Sequence, residues 1–419
     1  MLDTDIVPFF TPEILVDPYA FYERTRKTTP VIKTFLPGQN RDVYIVTSYA
    51  LVRQVLEDNA LYSSDVTPIL MGAGRNAEAE ALIEDGTGGG PLLLNIDEPL
   101  HGRYRALFNP IFSPRQVNQL TPKMAEIMEL LIAKVQASGE ADFINDIAVP
   151  FPLYVICDML GISRVLYTEI KRWTDAILRR VGQQETGEAE HATMREIAEF
   201  HDFVRAELAA RRASPREDLI TEILQARVDG SAPLTDREAL LFVQELCVAG
   251  NETTRNTLIG GLGILLQTPG IIDTLRRERS LIPAAVEEML RLFSPVAGTW
   301  RIATRDVTLG GIKIPAGGVV MVRMESANRD PAQFPNPNQL DLNRRNRNTH
   351  LTFSFGVHYC LGNMLARREL VIALEKILDL MPDLRMVEET SDLGRPPSVM
   401  LRGNHALNVR FTPGVPKAA

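Results

Sequence analysis

Apolar positions recur at helical spacing over most of this chain, and β-branched runs interrupt them in two short regions. Asp17 and Pro18 supply a cap and a first-turn proline for a helix over Tyr19 to Lys27. Val31 to Phe35 and Val43 to Thr47 flank a Pro-Gly-Gln-Asn segment and predict a hairpin. Ser48 then begins an amphipathic helix to about Asp58. Residues 63–94 are glycine-rich, with apolar Val66, Ile69, Leu70 and Met71, and predict a long loop that is either a mobile surface segment or a lid over a pocket. A helix opens at Asp97, and from Gln116 to about Arg227 the pattern is mostly helical. Thr235-Asp-Arg-Glu238 is a capping box, and the helix it starts meets no proline before Pro269, a length of roughly 50 Å. A short helix follows over Pro283 to Leu292. Thr299 to Ala303 and Val307 to Ile314, turning at Gly310-Gly311, form a small β-region. The last helical pattern carries Leu361, Leu365, Leu374 and Leu378. The whole reads as a mainly α fold with small β-sheets.

Composition narrows the class. The chain has 419 residues, 45% hydrophobic and 23% charged, which suits a large packed core. No linker-like segment divides it, so one domain over residues 1–419 with short flexible termini is expected. The acidic start lacks the basic and apolar regions of a signal peptide, and no uninterrupted apolar run suggests a membrane anchor, so a cytoplasmic protein is expected. Three scattered cysteines, Cys157, Cys247 and Cys360, argue against a disulfide framework. A formal net charge of -8 disfavours nucleic acid as partner.

Four segments carry candidate chemistry. Cys360 lies between Gly356 and Gly362, just before the last helix, where backbone N–H groups and the helix dipole favour a thiolate able to ligate a metal. Its plain alternative is a small buried side chain in a turn. His101 and Arg105 stand four apart and suit either an anion or a solvated basic face. Ala249-Gly250-Asn251-Glu252-Thr253-Thr254 puts small residues and hydroxyls in the middle of the long helix, with Leu246 and Ala249 on the same face. Glycine and paired threonines are poor there unless a helix crosses closely or a flat cofactor lies in the groove. Glu288 and Arg291 are three apart on the short helix and can pair.

Phe353, Gly356, Cys360 and Gly362 resemble the haem-binding loop of the cytochrome P-450 family, soluble bacterial type, and the other segments match the family's motifs in order. The resemblance implies a single-domain fold with haem between the long central helix and the cysteine-loop helix. It implies haem b, non-covalent, with Cys360 as axial thiolate, since no Cys-x-x-Cys-His is present. His101, Arg105, Arg301 and His358 would hold the propionates, with Phe353, Gly356, Gly362, Ala249 and Gly250 also against the cofactor. Thr253 and Glu252 would orient dioxygen and relay protons. Glu288 and Arg291 would be completed by Arg344 into an internal ion-pair network.

The activity so implied is a monooxygenase inserting one oxygen atom of O2 into a small hydrophobic substrate, such as a terpenoid, steroid-like, fatty or aromatic compound. Pocket candidates by family position are Val66, Ile69, Leu70, Met71, Leu246, Ala249, Val296, Ala297 and Met400, mostly apolar, with Arg75 able to receive a carboxylate. Electrons would come from a 2Fe-2S ferredoxin with its reductase to a monomer. Arg103, Arg344, Arg345, Arg347, Arg367 and Arg368 form a candidate docking patch. His191 and His201 read as surface residues. A peroxide-driven peroxygenase and a non-enzymatic haem-thiolate sensor are the alternatives.

Overall fold

The computed structural model describes residues 7–36, 41–66, 93–182, 186–227 and 232–414. Ile69, Leu70, Met71 and Arg75 therefore lie outside the described residues. The chain forms two compact units, one of residues 1–64, 121–149 and 253–419, the other of residues 65–120 and 150–252.

The first unit holds the sheets. Its strands are β1 (Val31–Leu36), β2 (Arg41–Val46), β3 (Tyr62–Ser63), β4 (Glu140–Asp142), β5 (Thr299–Ala303), β6 (Val307–Leu309), β7 (Ile312–Ile314), β8 (Val319–Val322), β9 (Arg385–Met386) and β10 (Asn408–Arg410). Five of them form one sheet in the order β1-β2-β8-β5-β3. The β1–β2 hairpin pairs Val31 with Val46, and β8 then joins β2 in parallel, Val43 opposite Val319. β5 returns antiparallel on β8, with Arg301 opposite Val320. Val31, Tyr44, Val46 and Val320 point into one buried cluster with Val52 and Val55 of the helix Tyr49–Glu57. β2 from Val43 to Val46 and all of β8 are buried at every position, so these central strands are apolar on both faces and lie inside the core. Gly310 and Gly311 turn β6 into β7 with φ of 55° and 84°, a pair of left-handed residues suited to a tight hairpin.

The cysteine-loop helix, Asn363–Leu380, packs on the helix Ile282–Phe293, which is buried along nearly its whole length. Apolar residues on both helices explain the contact, with Leu370, Leu374 and Ile377 fully buried on the first and Val286, Met289 and Phe293 on the second.

The second unit is helical among its described residues. The helix Pro150–Leu160 is buried almost throughout. The stretch Phe143–Leu160 has a mean hydropathy of 1.5 and is 72% buried, so its apolar character belongs to packing inside the protein. Asn145, Asp146 and Asp158 interrupt it, so it is not an uninterrupted apolar run. His201, read from the sequence as a surface residue, is buried and bonded to Gln244 at 2.7 Å, because the helix Glu188–Ala213 turns that face inward.

The long helix runs from Asp236 to Gln267, 32 residues, and contributes to both units, its first part to the second unit and Thr253 onward to the first. Its start is the reciprocal cap expected from sequence. Thr235 N donates to Glu238 Oε2 at 2.7 Å, and Glu238 N donates to Thr235 Oγ1 at 3.2 Å.

Candidate active site

The loop around Cys360 is shaped by backbone constraints. Gly356 has φ +71°, and a Cβ there would meet Leu56 O at 2.7 Å, so both conformation and space require glycine. Gly356–His358 make one 3-10 turn, after which Cys360 N donates to Phe353 O at 2.8 Å. That bond closes the loop on itself. Gly362 caps the following helix, and nothing lies within 4 Å of the position its Cβ would take. A side chain at Gly362 would point into open space.

Behind the loop, a chain of polar contacts reaches Cys360. Asn363 Nδ2 donates to Cys360 O at 2.8 Å, and Arg367 Nη1 donates to Asn363 Oδ1 at 3.0 Å. Arg367 also donates to Glu287 at 2.6 Å and stacks over Phe353, 4.4 Å from the ring centroid. Glu287 in turn contacts His350 Nε2 at 3.0 Å. Burial pushes the Glu287 carboxyl up, but hydrogen bonds from His350 and Arg367 outweigh it and hold the pKa at about 2. Burial holds His350 below the usual imidazole range despite that carboxylate. Phe353 is thus fixed by an arginine that is itself anchored.

The three cysteines differ in their surroundings. Cys157 and Cys247 are buried, and burial raises the Cys157 thiol to about 12 and the Cys247 thiol higher still. Cys360 is half-buried. A half-buried cysteine just before a helix N-terminus has the chemistry of a thiolate that could ligate iron.

The residues expected to bind propionates occupy two elements of the first unit and one of the second. In the first, Arg301 is buried on β5 and donates to Trp300 O at 2.8 Å and Thr299 Oγ1 at 3.4 Å, both neutral oxygens. His358 is buried in the 3-10 turn of the cysteine loop. In the second unit, His101 and Arg105 share the helix Leu100–Phe108, His101 buried and Arg105 half-buried. His101 Nδ1 lies 3.5 Å from Glu98, and burial lowers its pKa against that carboxylate's pull. Within each unit, an arginine and a histidine of this kind suit a carboxylate group.

On the long helix, Ala249 is exposed and Leu246 half-buried, one turn apart. A Cβ at Gly250 would meet the end of the Ile156 side chain, Cδ1 at 2.9 Å. Glu252 is buried and Thr253 half-buried. Thr257 Oγ1 donates to Thr253 O at 2.8 Å, a back-bond of the kind that loosens a helix locally. Thr254 Oγ1 donates to Glu369 at 3.3 Å. Glu369 is 1% exposed on the cysteine-loop helix, and burial raises its pKa to about 8.

Glu288, Arg291 and Arg344 come together in full burial. Arg291 bonds both oxygens of Glu288, at 2.7 and 2.8 Å, and Arg344 Nε adds a third bond at 3.1 Å. The two guanidinium groups also donate to the carbonyls of Asn328, Pro335, Asn336, Pro337 and Gln339. Arg344 therefore cannot belong to a surface docking patch. Arg103 is engaged with Glu238 at 2.8 Å, Arg367 with Glu287 at 2.6 Å, and Arg347 Nη1 with Arg344 O at 2.9 Å.

Among the pocket candidates, Val296, Ala297 and Met400 are neighbours. Ala297 N donates to Met400 O at 2.7 Å, and Val296 bridges Leu401. Val66 is buried. Asn363 and Glu369 escaped sequence reasoning. Glu369 had a signal, since it falls four after Leu365 on the buried face of its helix.

Comparison with known proteins agrees with this architecture. The Cytochrome P-450 family model matches residues 16–381. The steroid C26-monooxygenase of Mycobacterium tuberculosis strain H37Rv is 39% identical over 326 residues, which is 78% of this chain and 81% of that protein. Cytochrome P-450 monooxygenase PikC of Streptomyces venezuelae is 33% identical over 408 residues, 96% of this chain and 93% of the relative. The solved structure of a Bacillus megaterium cytochrome P-450 in complex with corticosterone superposes with a TM-score of 0.81 at 32% identity, covering 96% of this chain and all of its own, 100%. This chain belongs to the cytochrome P-450 family and is a monooxygenase of that family.

Proposed function

We propose that the chain binds haem b through the Cys360 thiolate and hydroxylates a steroid-like hydrophobic substrate with electrons from a 2Fe-2S ferredoxin and its reductase. The observation that carries the cofactor assignment is the Cys360 loop, with its half-buried cysteine just before a helix N-terminus and its anchored Phe353. Haem so bound supplies the activation of dioxygen and the oxidising power. Cys360 would hold the iron through its thiolate and would push electron density toward it. Asn363 steadies its peptide and orients a donor dipole toward it. Arg301 and His358 of the first unit, and His101 and Arg105 of the second, would hold propionates by charge-assisted hydrogen bonds. Thr253 offers a hydroxyl on the long helix, and the adjacent Glu252 holds the proton it passes on. Val66, Leu246 and Ala249 of the second unit, and Val296, Ala297 and Met400 of the first, would supply apolar contacts to the substrate.

A steroid-like substrate is favoured because relatives at 39% identity are steroid C26-monooxygenases and a structural neighbour was solved with corticosterone. The test is spectral and chemical. Wild-type protein loaded with haem, reduced and exposed to carbon monoxide, gives the long-wavelength Soret band of a thiolate-ligated haem, and Cys360→Ala loses it. Corticosterone or a C27 sterone then displaces the iron-bound water, and a reconstituted ferredoxin system yields a monohydroxylated product. Absence of that band in the wild type overturns the cofactor assignment, and absence of steroid binding overturns the substrate class alone.

A further inference from the structure

The first unit contains a second buried ionic cluster, far in sequence from Glu288. Its centre is Glu325, 1% exposed, just after β8. Arg402 bonds both its oxygens, Nε to Oε2 at 2.7 Å and Nη2 to Oε1 at 2.6 Å. Arg323 Nη2 adds a bond to Oε1 at 2.6 Å, and Tyr22 OH another at 2.7 Å. Arg323 Nε donates to Tyr22 OH at 2.7 Å, which links the two. Two guanidinium groups thus share one carboxylate, and ring faces and carbonyls stabilise the excess positive charge. Arg323 lies 5.3 Å from the centroid of Phe9 and 5.8 Å from that of Tyr22.

The carbonyls chosen are informative. Arg323 Nη1 donates to Val399 O at 2.7 Å, one residue before Met400. Arg402, two residues after Met400, is held by Glu325 and donates to Ser398 O at 3.2 Å. Arg402 N also bonds Pro295 O at 2.8 Å, Ala297 N bonds Met400 O at 2.7 Å, and Glu325 N bonds Ala297 O at 3.1 Å. Met400 and Ala297 are therefore pinned to each other, and both are tied to Glu325, one through its side chain and one through its backbone. Desolvation raises the Glu325 carboxyl, but Arg402 and Arg323 outweigh it and hold it at about 2, so the clamp stays charged across the working pH range.

We infer that Tyr22, Arg323, Glu325 and Arg402 are positioning residues for substrate selectivity, setting where Met400 and Ala297 stand in the substrate pocket. The inference rests on the proposed assignment of Met400 and Ala297 to that pocket. The cluster also holds the N-terminal helix, Arg402 Nη1 donating to Leu15 O at 2.6 Å, and in addition it grips the chain on both sides of Met400. Loosening it shifts Met400 and leaves the Cys360 loop unaltered.

The test uses the haem-loaded full chain and two probes that bind iron through nitrogen. Imidazole senses the iron alone, and 4-phenylimidazole also senses the pocket walls through its ring. Tyr22→Phe keeps the ring and removes one hydroxyl, and Arg402→Lys keeps the charge but loses the bidentate grip. Both variants are expected to retain the thiolate-type Soret band and the imidazole affinity while the 4-phenylimidazole affinity changes several-fold. Hydrogen exchange should rise in peptides covering 295–299 and 398–402 and stay unchanged in 282–293. Met400→Ala and Met400→Phe separate the two layers. If the Met400 variants change 4-phenylimidazole affinity and the clamp variants do not, the positioning role is overturned and the pocket assignment stands. If the Met400 variants change nothing, the pocket assignment fails and the inference fails with it. Should Arg402→Lys not fold, Tyr22→Phe decides alone.

Discussion

Asn363 donates its side-chain amide to the carbonyl oxygen of Cys360 at 2.8 Å while accepting from Arg367 at 3.0 Å. The positive end of that amide lies close to the backbone of the proposed iron ligand, where it favours extra negative charge. Asn363→Leu removes the donor and keeps the volume. The iron reduction potential should then fall by about 40 mV, the one-electron equivalent of the roughly 1 kcal/mol a neutral hydrogen bond contributes. Spectroelectrochemical titration measures it. An unchanged potential would show that the amide serves loop geometry alone.

The Glu288 cluster makes a stability prediction. With the carboxylate gone, Arg291 and Arg344 remain buried without their shared counter-ion, while their carbonyl partners cannot offset charge. Glu288→Ala should cost about 3–5 kcal/mol, the range for a broken buried pair. The urea midpoint of the haem-loaded protein reads it directly. Replacement of Arg344 alone should cost less, since Arg291 keeps its two bonds to Glu288.

Local signals are legible in the sequence, and non-local pairings are not. Thr235 and Glu238 cap the long helix because their spacing alone decides the geometry. Gly310 and Gly311 turn their hairpin for the same reason. The arginines show the opposite case. Arg103, Arg344 and Arg367 read as a surface patch until their acceptors appear, at separations of 135, 56 and 80 residues. His201 likewise looked polar and solvated, yet its partner Gln244 lies 43 residues on. The Cys360 motif is readable because backbone geometry enforces it, as Gly356 against Leu56 O shows. Asn363 is invisible in sequence because its function is one short contact to a main-chain oxygen.

Thr253 and Glu252 carry a prediction about coupling. Thr253→Ala removes a hydroxyl from a half-buried helical position whose backbone is already held by Thr257. Haem content and the carbonyl spectrum should stay as in the wild type, while product formed per reducing equivalent falls several-fold and peroxide rises. Glu252→Gln should slow turnover and raise the solvent isotope effect, as expected where a proton-passing carboxylate is lost. Equal coupling in Thr253→Ala would remove that residue from the proton path.

Glu369 predicts how stability depends on pH. Burial raises its carboxyl to about 8, with Thr254 Oγ1 as a weak opposing hydrogen bond. The nearby charges on packed elements are engaged elsewhere, Glu287 with Arg367, Glu288 with Arg291, and Arg276 with Leu378 O and Met381 O. In the unfolded chain the same carboxyl titrates near its ordinary value, about 4.3. Between those two values the folded state binds one more proton than the unfolded state, so stability falls as pH rises. The contribution is fully present below the unfolded pKa and is lost by the time pH passes the folded one. Its slope approaches about 1.4 kcal/mol per pH unit in that window. Glu369→Gln keeps the shape and the neutral hydrogen-bonding character and cannot titrate. Urea midpoints taken from pH 5 to pH 8 should therefore decline more steeply in the wild type than in Glu369→Gln, with the two curves converging toward the acid end. Parallel curves would mean that Glu369 is ionised in the folded protein, and a counter-charge would then have to reach it.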